Sequence, residues 1–142
     1  MIGAQFLIED FKSDSNINDY KPYFLDYEAN INEYSNSGYF EYKNEEGGDI
    51  TLFFVAVNGK FSLRYDDNIP NSSSEPSYYS IGNPDSINQI IDAGDENMIP
   101  LGSLLDADTA WLVINEFFEH PKQKSTSIKW VNAEQLDWDG VE

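Results

Sequence analysis

The sequence predicts an α+β fold: an antiparallel or mixed sheet with a central hairpin, packed by two main helices. Three observations carry that expectation. Asn58-Gly59 stands between the apolar runs Ile50 to Val57 and Lys60 to Tyr65, and this dipeptide suits a type I′ turn because both central positions need positive φ. Two stretches, one opening near Tyr20 and one near Ser103, repeat apolar residues at helical spacing. Hairpin strands followed by helices, without regular β-α-β alternation, complete the pattern.

Taken in order, Ala4 to Ile8 is expected as a short opening strand. From Tyr20 the apolar positions Tyr20, Tyr23, Phe24, Tyr27, Ile31 and Tyr34 draw one stripe on a helix. Asp19 is its candidate cap, Pro22 is tolerated in the first turn, and Gly38 lies past its end. Strands follow at Tyr39 to Lys43 and on both sides of the Asn-Gly turn, with a further one at Tyr78 to Ile81. Asn71 to Ser77 reads as a flexible connection within the domain. Pro84-Asp85-Ser86 opens a short helical pattern carrying Ile87, Ile90 and Ile91 before Gly94. A longer helix is expected from Ser103 to Glu119, with Leu104, Leu105, Trp111, Leu112 and Phe118 on its apolar face and Ser103 and Asp106 in the places of a capping box. Pro121 stops it, and Ser127 to Val131 is the last strand.

The chain has 142 residues, enough for one domain that buries a sizeable core without disulfide or metal staples. Leu, Ile, Val and Phe make up a quarter of it, above the roughly 20% below which a highly charged chain stays disordered. Cysteine is absent, which excludes thiolate zinc sites and thiol catalysis and suits a reducing compartment. The 26 acidic residues against 8 basic ones leave a net charge of −18. Such a field repels phosphate backbones and anionic headgroups and attracts a basic partner. With neither a signal-peptide pattern nor a long apolar run, the expectation is a soluble, cytoplasmic protein that contacts no nucleic acid or membrane directly.

Catalytic parts are few. His120 is the sole histidine and sits where it would complement the end of the long helix. The chain has no GxSxG, HExxH, GxGxxG or phosphate-cradling GxxxxGK[ST] motif. The pairs Glu45-Glu46, Asp66-Asp67 and Asp95-Glu96 fall in expected loops, while Asp106 and Asp108 are two apart on a helix and do not face each other. Neither Asp106-Ala-Asp108 nor Asp137-Trp-Asp139 continues into a calcium loop. No cofactor or metal is expected. Trp111 and Trp130 read as core residues, and Trp138, between two aspartates, is either a lid on the sheet or an exposed anchor.

From Met98 onward the chain runs through Ile99-Pro100-Leu101, a helix containing Trp111 and closing on Asn115-Glu116-Phe117-Phe118, a Pro-bearing loop, and the strand Ile128-Lys129-Trp130. That order of features resembles the first family of immunity proteins of bacterial polymorphic-toxin systems. Gly38-Tyr39-Phe40-Glu41-Tyr42 and the hairpin after it are similar to the family's glycine-led strand. The loop His120-Pro121-Lys122-Gln123-Lys124 lacks the family's usual glycine. The resemblance implies a non-enzymatic inhibitor that binds a cognate secreted toxin, often a nucleic-acid deaminase, encoded by a neighbouring gene.

A basic toxin cleft would be met by acids on exposed loops with an aromatic nearby. The candidate contact residues are therefore Glu45, Glu46, Asp49, Asp66 and Asp67, expected at one end of the hairpin, with Asp137, Trp138 and Asp139 beside either end. The plainer reading makes these acids a solvated edge that discourages sheet-to-sheet association. Two other functional classes are a carbohydrate-active hydrolase using loop carboxylates and a structural or adaptor domain.

Overall fold

The Asn58-Gly59 turn takes the predicted form, with φ of 52° at Asn58 and 80° at Gly59. From it β3 (Asp49–Val57) and β4 (Lys60–Asp67) run antiparallel, pairing from Val57 with Lys60 out to Ile50 with Asp67. The computed structural model describes residues 2–31, 34–70, 77–94 and 97–136. Around the hairpin, β1 (Ile2–Phe6), β2 (Ser37–Lys43) and β5 (Ser77–Ile81) extend an antiparallel meander. The last strand of the sheet, β9 (Lys129–Asn132), adds to β5, so the order is β1-β2-β3-β4-β5-β9.

Helix α1 (Lys21–Leu25) and helix α2 (Ala107–Glu119) contact each other and lie on the same core. Alternation along the strands supplies that core: Ile2, Ala4, Phe40, Ile50, Leu52, Phe54, Phe61, Leu63 and Tyr65 point one way, into Phe24, Ala110, Val113, Ile114 and Phe117. Phe24 is its aromatic hub, with ring centroids 4.8 Å from Phe61, 5.2 Å from Phe54 and 5.6 Å from Trp111. On the other face a small two-stranded sheet, β6 (Ile90–Asp92) with β7 (Met98–Pro100), brings Ile99 against Val55, Tyr79 and Leu136.

The sheet branches at β4. Phe61 and Ser62 pair with the two-residue strand β8 (Leu104–Leu105), and from Arg64 onward the partner of β4 is β5. Leu63 falls between the two ladders, and its N–H is taken by the Ser80 hydroxyl at 3.1 Å. Ser80 in turn donates to the Ser103 carbonyl at 2.7 Å. Ser103 donates to the Pro100 carbonyl at 2.6 Å, which leaves Ser62 as donor in its 2.6 Å contact with the Ser103 hydroxyl. All three serines are buried. The crossing is close: a Cβ on Gly82 would sit 2.0 Å from the Leu104 carbonyl oxygen.

Several sequence expectations need correction. The opening strand ends at Phe6, because Leu7 turns to a φ of 57°. The long helix begins at Ala107, not Ser103: Ser103 belongs to the buried hydroxyl chain, and Asp106 occupies the N-cap position without a side-chain capping bond. Leu112 is 48% exposed, whereas Val113 and Phe117 face the core. The tyrosine-striped helix stops at Leu25, where Asp26 leaves the helical region and the Asn30 carboxamide takes the Pro22 and Asp26 carbonyls. Asp19 does not cap it; Tyr20 stands at the N-cap with no side-chain bond. Pro84–Ser86 makes only a single 3-10 turn, and Ile90 and Ile91 are strand residues.

Candidate site on the second face of the sheet

The face away from the helices carries a row of directly opposed residues. Register places Tyr39 beside Phe53, Phe53 beside Arg64, and Arg64 beside Tyr79. The Tyr39 and Phe53 rings meet edge-on with centroids 5.6 Å apart. The Arg64 guanidinium lies 5.8 Å from the Phe53 ring centroid and 5.7 Å from that of Tyr79, within the range of cation–π attraction. At the β1 end, Phe11 continues the row 6.3 Å from Tyr39. Tyr39, Phe53, Arg64 and Tyr79, with Val55 and Ile99, line a cavity of about 350 Å³. Phe53 is 37% exposed although its strand neighbours Leu52 and Phe54 are buried.

Arg64 is the only arginine in the chain. Its Nε donates to Asp66 at 2.8 Å and its Nη2 to the Ser77 hydroxyl at 3.4 Å. Burial works against the charged guanidinium, but the hydrogen bond and charge of Asp66, helped by Tyr79, outweigh it and raise the pKa. The positive charge thus lies near two rings and is balanced from one side by Asp66.

A polar row runs alongside. Glu41, Thr51, Asp66 and Ser77 are opposed across β2 to β5, on the same face as the aromatic row because they lie two residues along each strand. Lys43 approaches Glu41 at 4.0 Å.

The acids expected from sequence are brought to one end of the hairpin, but they do not form a single surface. Glu45 and Glu46 are exposed in the turn before β3. Asp49 opens β3 and accepts from the Asn68 side chain at 3.1 Å, which ties the two loops together. Asp66 and Asp67 are not loop residues, since β4 runs through both. Asp66 is buried and ion-paired, while Asp67 points to the opposite face and accepts from the Ile69 N–H at 3.0 Å. Asp137, Trp138 and Asp139 lie outside the described residues.

Tyr39, Phe53, Arg64 and Tyr79 did not stand out in the sequence. Counting outward from the Asn-Gly turn would have set Phe53 opposite Arg64, which was the available signal.

The other singled-out residues have structural places. His120 caps the end of α2, its N–H donating to the Glu116 carbonyl at 2.8 Å. The Glu116 carboxylate accepts from the Ser125 and Ser127 hydroxyls, anchoring the loop that follows. Trp111 packs on Phe24, and Trp130 packs on Tyr65 while its Nε1 donates to the Ser125 carbonyl at 2.8 Å. Among the described residues no three His, Asp or Glu side chains are grouped to hold a metal ion, and no helix is long and apolar enough to cross a membrane.

No family model, curated protein or solved structure matches the chain significantly. A functional reading therefore rests on the residues themselves.

Proposed function

We propose that this chain is a non-enzymatic inhibitor of the immunity-protein kind, which binds a cognate toxin domain in the cytoplasm of the producing cell and covers its active-site cleft. The observation that supports the reading is the Tyr39–Phe53–Arg64–Tyr79 row on the helix-free face, with acids beside it. Protein interfaces concentrate aromatic residues and arginine at their centres and place polar groups around them. Here Phe53 supplies exposed apolar surface, and Arg64 supplies a planar cation already fixed by Asp66. Glu41 stands in the polar row next to the aromatic one, and Asp49, Glu45 and Glu46 follow further along β2 and β3 at their turn. In a chain of net charge −18 those acids steer a basic partner towards the face, while the aromatic centre holds it. A toxin that acts on nucleic acid, such as a deaminase, needs a basic cleft, and an acidic face can compete for it with the phosphate backbone.

The test mixes the purified protein with the toxin domain encoded beside its gene and follows both complex formation and toxin activity. A stable complex with lost activity is expected. Phe53→Ser should raise the dissociation rate about tenfold or more. Glu45→Lys with Glu46→Lys should slow association, most visibly at low salt. No complex, or a complex unaffected by either variant, would refute the assignment of this face.

A further inference from the structure

The early end of α1 creates a second surface, separate from the aromatic row. Had the helix continued, Ile31 and Tyr34 would have stayed on the buried stripe. Instead the chain passes through Asp26 into a 3-10 turn at Tyr27–Ala29, and Ile31 and Tyr34 emerge 54% and 79% exposed. Leu25 is exposed beside them. Two concavities meet at Ile31. One, of about 660 Å³, lies between Leu25, Tyr27, the Asn58-Gly59 turn and Ala107 at the start of α2. The other, of about 530 Å³, lies between α1, Leu7 and Tyr34.

The lining also fixes the sign of charge. Asp26 and Glu28 border the first concavity, and Asp19 borders the second. Two lysines stand near. Lys60, next to the turn, is paired with Asp106 at 3.5 Å, and Lys21 is exposed on α1. Leu25 and Ile31, exposed in a lining that is otherwise about half polar, with Asp19, Asp26 and Glu28 as its acids among the described residues, are complementary to a segment that has an apolar side flanked by lysine or arginine. Apolar residues three and four apart on a helix make such a side.

We propose that this groove docks a short basic amphipathic segment of a partner protein, with its apolar side chains on Leu25 and Ile31 and its cations towards Asp19, Asp26 and Glu28. The site shares no residue with the aromatic row, so the two surfaces can be tested separately.

The probe is a synthetic amphipathic helix of leucine and lysine carrying a fluorophore, compared with a scrambled peptide of the same composition. Anisotropy titrations run at physiological ionic strength, where non-specific attraction to the acidic chain is weakened. The amphipathic peptide should bind at least about tenfold tighter than the scrambled one. A Leu25→Asn, Ile31→Asn double variant, which leaves net charge unchanged, should erase that advantage, while Phe53→Ser should preserve it. Both altered positions are exposed, and an unchanged thermal unfolding curve would show that the fold is retained. Equal binding of the two peptides, or undiminished preference in the double variant, would overturn the proposal. Loss of preference with Phe53→Ser alone would move the site to the other face and overturn it as well.

Discussion

Replacing Ser80 with alanine removes one oxygen and leaves two buried backbone groups without their partner. The Leu63 N–H loses its 3.1 Å acceptor at the point where β4 changes partner, and the Ser103 carbonyl loses its 2.7 Å donor. Ser80 has no measurable exposure, so water does not reach either group without opening the sheet. An unsatisfied buried polar group costs about 1–3 kcal/mol, less where relaxation supplies another partner. For two groups, one of them a carbonyl with a second lone pair, the expected loss is about 2–4 kcal/mol. A domain of this size loses about 2–4 °C per kcal/mol, so Tm should fall by about 4–16 °C. Urea titration followed by far-ultraviolet circular dichroism gives the free energy directly, and an unchanged slope shows that both states keep their exposed areas. Ser15→Ala, which removes only a 3.5 Å surface contact, is the control and should stay within about 0.5 kcal/mol of wild type. If Ser80→Ala does likewise, the branch is not held by this hydroxyl and the account of the sheet junction is wrong.

Phe24→Ala should cost about 3–5 kcal/mol, as it empties the centre of the aromatic core, whereas the half-buried Trp111→Ala should cost less; the reverse order in urea titrations would place the hub elsewhere. Gly59→Ala puts a Cβ on a backbone with φ of 80° and should cost about 1–2 kcal/mol, read as a lowered urea midpoint; an unchanged midpoint would mean that the turn adjusts freely. Burial, with the neighbouring Tyr27, raises the pKa of Tyr23, and burial, with Asp67, raises that of Tyr65. The folded state therefore holds those protons more tightly. Stability from this source is complete below the ordinary tyrosine value of about 10 and falls as pH rises above it. Urea midpoints measured from neutral to strongly alkaline pH should show that decline, and Tyr65→Phe should make it shallower; parallel curves would remove Tyr65 as a contributor.

Where a structural signal is carried by adjacent residues, the sequence made it readable. Asn58-Gly59 specified its turn and thereby the register of β3 on β4. The helix ends were less legible because distant groups decide them. Asn30 closes α1 from five residues beyond its end, and Ser103 looks like a helix cap only until Ser62 and Ser80, supplied by other strands, claim it. The aromatic row was hidden for a related reason. Phe53 and Tyr79 look like ordinary strand residues, and only the placement of both helices on the opposite face leaves Phe53 accessible. Asp66 resembled a loop acid because β4 extends two residues further than its apolar run.

The position of β9 has a kinetic consequence. Pairings from β1 to β5 join strands that follow one another along the chain, and the β3–β4 hairpin closes through a two-residue turn. The β2–β3, β3–β4 and β4–β5 contacts have low loop-closure cost and are expected to form first, whereas β1 pairs β2 across α1 and its flanking turns. β9 reaches β5 only after both β6–β7 and α2 have been threaded between them. The loop leading into it is held through the Tyr65 hydroxyl on the Pro121 carbonyl at 2.9 Å and the Lys124 ammonium over the Tyr78 ring at 3.5 Å. The sheet is therefore expected to form in two stages, a quickly zippered meander and a late-arriving seam. Amide hydrogens on β9 should exchange through partial openings that leave β3 and β4 protected. Because the aromatic row belongs entirely to the first stage, unfastening that seam leaves Tyr39, Phe53, Arg64 and Tyr79 on strands that still pair with one another from β2 to β5.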